Sequence, residues 1–109
     1  MDHAITFIET ELFTRQIKEI CTDEEFSKLQ EELIKNPEKG EVIVDTGGLR
    51  KIRMPSGNKG KSGGNRVIYL FATPEKIYFI MAYPKSKKET LKKEEKSFLK
   101  GMSRRLKEE

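Results

Sequence analysis

Val67-Ile68-Tyr69-Leu70-Phe71-Ala72, Thr73-Pro74-Glu75-Lys76 and Ile77-Tyr78-Phe79-Ile80-Met81-Ala82-Tyr83 read in turn as strand, turn and strand. Both runs are rich in β-branched and aromatic residues, and Pro74 sits where a hairpin connection is expected. Both runs are apolar at successive positions, so both faces of each strand need cover, which predicts a central place in a sheet. Upstream, Leu49 to Met54 alternates: Lys51 and Arg53 fall on one face, Ile52 and Met54 on the other. Asp45-Thr46-Gly47-Gly48 before it reads as a turn, and Glu41-Val42-Ile43-Val44 as a further short strand.

Further out the period changes from two to about four. Leu12, Phe13, Ile17 and Ile20 have helical spacing, as do Phe26, Leu29, Leu33 and Ile34. Thr22-Asp23-Glu24-Glu25 between them matches a capping box, and Asn36-Pro37 ends the second helix, because proline disfavours helical geometry in the residue before it. These make an αα-hairpin. Ile5 and Phe7 ahead of it suggest a short edge strand. After the last strand a helix is expected, with Leu91, Phe98, Met102 and Leu106 as its inner stripe and lysines and arginines over the rest. The order predicts one α+β domain over residues 1–109: an N-terminal strand and helical hairpin packed on a small, mainly antiparallel sheet of about four strands, and a basic C-terminal helix.

Charge is divided along the chain. Residues 1–49 carry 5 Lys/Arg and 12 Asp/Glu, a net −7, whereas residues 50–109 carry 17 and 6, a net +11. The second half is therefore expected to carry a polyanion-binding surface. No apolar run is long enough to span a membrane, and the start lacks the pattern of a secretory signal. Cys21 is the one cysteine. A reducing cytoplasm is expected.

Several chemistries find no residues. One histidine and one cysteine cannot make a zinc site, so no metal or other cofactor is expected. There is no Ser-His-Asp set, Walker loop or dinucleotide fingerprint. His3 reads as a surface residue, and Cys21, beside acidic residues, as a core or boundary residue and not a nucleophile. What is present is a cationic block: Arg50, Lys51, Arg53, Lys59, Lys61 and Arg66, with no acid between Arg50 and Arg66. The intervening Pro55–Asn65, PSGNKGKSGGN, holds four glycines, which let backbone approach a phosphate closely. Such a loop is expected to be mobile alone and ordered on RNA. Lys85, Lys87 and Lys88 follow the last strand, and in an antiparallel sheet they would converge with Arg66 and the loop at one end. On these residues alone, nucleic-acid binding is favoured over catalysis.

Three blocks, Gly47-Gly48-Leu49-Arg50-Lys51-Ile52-Arg53, then Gly60-Lys61-Ser62-Gly63-Gly64-Asn65-Arg66-Val67-Ile68-Tyr69, then Ala82-Tyr83-Pro84-Lys85-Ser86, closely resemble the HigB-like branch of the RelE toxin superfamily in order and near spacing. The resemblance covers nearly the whole chain. It implies a microbial ribonuclease-like α+β fold and a toxin of a type II toxin–antitoxin system. It also implies a metal-independent endoribonuclease, or mRNA interferase, that enters the A site of the 70S ribosome, cuts mRNA and inhibits translation. Its implied partners are a cognate antitoxin of the helix-turn-helix kind, the ribosome and mRNA, with operator DNA reached only through the antitoxin. By motif position Lys51 and Arg53 would line the site, Arg66 would hold the scissile phosphate, and Lys85 would follow the last strand. Arg50, Lys59, Lys61, Lys87 and Lys88 would bind RNA. Better-known members carry a tyrosine where Leu91 stands here, and Tyr83 lies at the end of the strand itself. Lys51 is then the candidate base, because neighbouring cations lower a lysine pKa. Lys85 is the candidate acid or a further phosphate contact. Two other readings remain open: a non-catalytic nucleic-acid or ribosome-binding module, and an inactive toxin homologue acting as an antitoxin-bound co-repressor.

Overall fold

A computed structural model describes residues 4–54, 64–88 and 90–108. Lys59, Lys61 and the expected behaviour of the loop at 55–63 lie outside them. The elements run β1 (Thr6–Glu9), α1 (Glu11–Ile20), α2 (Asp23–Lys35), β2 (Glu41–Val42), β3 (Arg50–Met54), β4 (Asn65–Thr73), β5 (Lys76–Pro84) and α3 (Lys93–Lys107). One five-stranded sheet has the order β1-β5-β4-β3-β2. The two doubly apolar strands, β4 and β5, occupy its interior as their sequence requires. The sheet is mixed: β1 joins the edge of β5 in parallel, and the other pairings are antiparallel. The α+β architecture is the expected one, with the N-terminal strand as an edge strand of the sheet.

Each face of the sheet has its own core. On one, α1 and α2 bury Phe13, Ile17, Leu29 and Leu33 against Ile52, Met54, Val67, Tyr69, Ile77 and Phe79. Phe13 stacks on Phe79 at 4.9 Å, and Phe7 stacks on the same ring at 5.3 Å. On the other face, Leu91, Leu99, Met102 and Leu106 cover Leu49, Ile68, Leu70, Tyr78 and Ile80. Thr10 caps α1 by accepting the Phe13 N–H, and its hydroxyl donates to the Ile80 carbonyl. The capping box of α2 forms in full: Thr22 Oγ1 accepts the Glu25 N–H, and Glu25 Oε1 accepts the Thr22 N–H.

Three expectations are corrected. Phe98 is not on the inner stripe of α3; it is 63% exposed, and Leu99 and Ser103 are buried instead. One residue turns a helix by about 100°, and the inward arc falls on Leu99. Ile34 likewise stays largely exposed beside the buried Leu33. Strand β2 stops at Val42, because Thr46 Oγ1 donates to the Ile43 carbonyl and the chain then turns through Asp45, Gly47 and Gly48, all at positive φ. Gly47 is also where α3 docks: its carbonyl accepts Ser103 Oγ at 2.9 Å and Lys107 Nζ at 2.6 Å.

Candidate active site

Sheet register decides which cations meet. Arg53 lies directly opposite Arg66, and Arg66 directly opposite Tyr83, in one row across β3, β4 and β5. Lys51 belongs to the next row on the same face, opposite Ile68. Two arginines opposed across an antiparallel pair repel, which costs stability unless an anion offsets it. The strand alternation expected from the sequence holds: Ile52 and Met54 are buried, Arg53 is exposed and Lys51 is half-buried.

Lys51, Arg53 and Arg66 line a single cleft of about 410 Å³ together with Lys39, Gly40, Glu41 and Ile52. Glu41 is the one carboxylate among the described residues that line it. Lys39 was missed by sequence reading, since it stands in a polar connection with no periodic signal. The fold brings it in through Tyr69. That buried hydroxyl accepts the Gly40 N–H at 2.9 Å and donates to the Pro37 carbonyl at 2.8 Å, fixing the α2–β2 connection. Burial pushes the Tyr69 pKa up, so it stays a donor. A side chain at Gly40 would meet the Tyr69 ring at 2.8 Å and the Lys51 carbonyl at 3.0 Å.

The other expected residues are placed as follows. Arg50 pairs with Tyr69 on the α1–α2 face, where its guanidinium donates to the carbonyls of Glu38 and Gly40 at 3.0 and 2.7 Å. It thus clamps the same connection from within. Met54, Asn65 and Pro84 lie in register at one end of the sheet, and the Lys85 N–H donates to the Gly64 carbonyl. The expected convergence of Arg66, the end of the glycine-rich stretch and the Lys85 turn is therefore present in the backbone. Asn65 holds that end down by donating to the Ile20 carbonyl at 3.0 Å. Lys87 and Lys88 continue the turn through backbone bonds to Pro84 and Lys85. The Lys88 ammonium pairs with Glu95 at the start of α3.

Tyr83 closes the row of arginines. It is 5% exposed, and its hydroxyl has no hydrogen-bond partner among the described residues. Burial raises its pKa, the charge of Arg66 opposes that rise and Glu95 adds to it. Glu95 in turn is held below the usual carboxylate range, first by the hydrogen bond from Lys88 and then by the Lys92 N–H. The start of α3 is thereby tied to the edge of the site. Cys21 is the C-cap of α1 and packs against the core on the hairpin face of the sheet. Burial, with Glu25 and Asp23 adding to it, lifts its thiol to about 11, whereas the sequence implied only that its acidic neighbours would not lower it.

Residues 7–109 match the family described as the RelE toxin of the RelE/RelB toxin–antitoxin system. The chain belongs to the RelE toxin family. It is a toxin of a toxin–antitoxin system, and a cognate antitoxin is the partner that membership implies. The match runs through both helices of the hairpin, all of the sheet from Phe7 onward and α3. The cationic cleft thus belongs to the RelE domain itself. No helix among the toxin's described residues is long and apolar enough to cross a membrane.

Proposed function

We propose that this toxin is a ribosome-dependent endoribonuclease of the HigB-like branch, which cuts mRNA in the A site and so halts translation in the cytoplasm. Toxins of the RelE family are in general endoribonucleases. The three motif blocks that carry Lys51, Arg53, Arg66 and Lys85 support the finer placement. In the reaction the 2′-hydroxyl attacks the adjacent phosphodiester, the bond to the next nucleotide's 5′-oxygen breaks, and a proton moves at each end. Arg66 and Arg53 hold the non-bridging oxygens, whose charge grows in the transition state. Lys51 takes the proton of the 2′-hydroxyl. Lys85 serves the departing 5′-oxygen or a flanking phosphate. Arg50 supports the cleft from the opposite face, and Lys87 and Lys88 lie beside the RNA path. The antitoxin, a helix-turn-helix protein in this reading, silences the toxin by covering the cleft with an acidic segment.

The observation that carries this reading is the opposed pair of Arg53 and Arg66 in a cleft shared with Lys51. Two guanidiniums on paired strands, one row in from the end of the sheet, are aimed far better than side chains on a loop. The test is single-turnover mRNA cleavage on programmed ribosomes, with association followed in parallel. Arg66→Ala is expected to slow cleavage ~10²–10³-fold while association changes little, and Arg66→Lys is expected to be impaired too, since a point charge cannot make the paired contact. Cleavage by Arg66→Ala at near wild-type rate would remove the active site from this cleft. Equal loss of association and cleavage would favour a binding module or an antitoxin-bound co-repressor.

A further inference from the structure

α3 presents two unlike edges to solvent. On the β5 side, Phe98, Leu99 and Met102 form an apolar groove with Leu12, Ile80 and Met81. On the other side, Lys100, Ser103, Arg104 and Lys107 border the Gly47 turn that leads into β3. That second edge is a regular stripe: Lys93, Lys96, Lys100, Arg104 and Lys107 recur every three or four residues, so they stack on one face. The stripe rises over about 20 Å with one cation every ~5 Å. None of Lys93, Lys96, Lys100 and Arg104 forms an ion pair among the described residues. The first turn of α3 is tied to the Lys85–Lys88 turn by the Lys88–Glu95 ion pair. The stripe ends at Gly47.

We propose that this edge of α3 is a second RNA-docking surface, whose occupant is the phosphate backbone of duplex ribosomal RNA. Three features select that occupant. A cation at each helical turn matches a row of phosphates and reads no base edge. The stripe holds no aromatic or apolar side chain, whereas unpaired RNA is gripped by stacking on aromatic rings. A folded protein partner is anchored by apolar side chains, and the one large exposed ring on α3, Phe98, lines the opposite edge. Double-stranded RNA is recognised through backbone and shape, which is what a bare cationic rod can contact. The inference rests on the ribosome-dependent reading above for the source of the duplex, and it assigns α3 to docking and the cleft to chemistry.

The test uses the full toxin with Lys96, Lys100 and Arg104 all changed to glutamine, which keeps helix propensity. Lys107 is left in place because it bonds to Gly47. A control carries the same loss of charge on the helical hairpin, as Lys18→Gln, Lys28→Gln and Lys35→Gln. Binding to a blunt RNA duplex of about two turns and to an unpaired oligonucleotide is followed by anisotropy across a salt series, with thermal melts confirming that each variant folds. The α3 variant is expected to bind the duplex at least about tenfold more weakly in low salt, with a log–log salt slope shallower by about 2.7, or 0.9 for each lost phosphate contact. The hairpin control is expected to keep the wild-type slope. Unchanged duplex binding by the α3 variant would overturn the proposal. So would an equal or greater loss on the unpaired strand, which would assign the stripe to mRNA, and so would equal weakening in the control. Arg66→Ala separates the two readings: full duplex binding with lost cleavage supports both, and near wild-type cleavage sinks the active-site reading while leaving the duplex result to stand by itself.

Discussion

At the scale of single residues, the cleft is shaped as much by uncharged groups as by its cations. The two hydrogen bonds of the Tyr69 hydroxyl span from the sheet to the α2–β2 connection, where Lys39 enters the site. Tyr69→Phe leaves the Gly40 N–H and the Pro37 carbonyl without that partner. It is expected to lower stability by about 1–3 kcal/mol, read from the midpoint of urea unfolding, and an unchanged midpoint would show that the connection is held elsewhere. Cys21 allows a pH prediction. Its folded pKa, about 11, stands above the ordinary thiol value, so the folded state disfavours the thiolate. The contribution to stability is therefore whole below the ordinary pKa and fades as pH rises toward 11. Alkylation of the native protein by iodoacetamide should be slow near neutrality compared with a free thiol and should accelerate only at strongly alkaline pH. Fast alkylation at pH 8 would refute this.

At the scale of elements, the sequence was most legible where a period or a cap acts locally. The alternation of Lys51 and Arg53 with Ile52 and Met54, the capping box at Thr22 and the doubly apolar strands β4 and β5 each rest on neighbours within a few residues, and each is found as read. What was not legible depends on partners far along the chain. Nothing near Thr6–Glu9 tells that this strand will join β5 in parallel. Nothing near Arg50 tells that its guanidinium will turn to two carbonyls on the other face while Lys51, its neighbour, lines the cleft. A cationic block shows that phosphate is a fitting ligand, and only register shows which of its members stand side by side. The docking of α3 gives a test at this scale. Gly47 holds φ +76°, and an added Cβ would lie 3.2 Å from Ser103 Oγ. Gly47→Ala is expected to cost about 1–2 kcal/mol through the left-handed backbone alone, measurable as a lower thermal midpoint. Retention of the wild-type midpoint would mean that the turn relaxes freely.

For the molecule as a whole, an acidic first half and a basic second half fold into one body in which the helical hairpin lies on one side of the sheet and the cationic cleft and α3 lie on the other. Such a division orients the toxin toward a polyanion before contact. Association with ribosomes is expected to weaken steeply with salt, with a log–log slope near −0.9 for each phosphate engaged, and a slope near zero in an ionic-strength series would show that the basic side is not the contact surface. The parallel pairing of β1 with β5 also sets an order of events in time. Thr10 and Ile80, bonded at the end of that pairing, are 70 residues apart in the chain. A loop of that size is closed only once its far end exists. At ~5–20 residues per second of synthesis, the first strand waits several seconds for the strand it will join. The arginines of the cleft are made during that wait, and α3 is made after β5. The row of Arg53, Arg66 and Tyr83 is therefore assembled from strands made at well separated times, and the edge strand that joins β5 is the first made and the last to find its place.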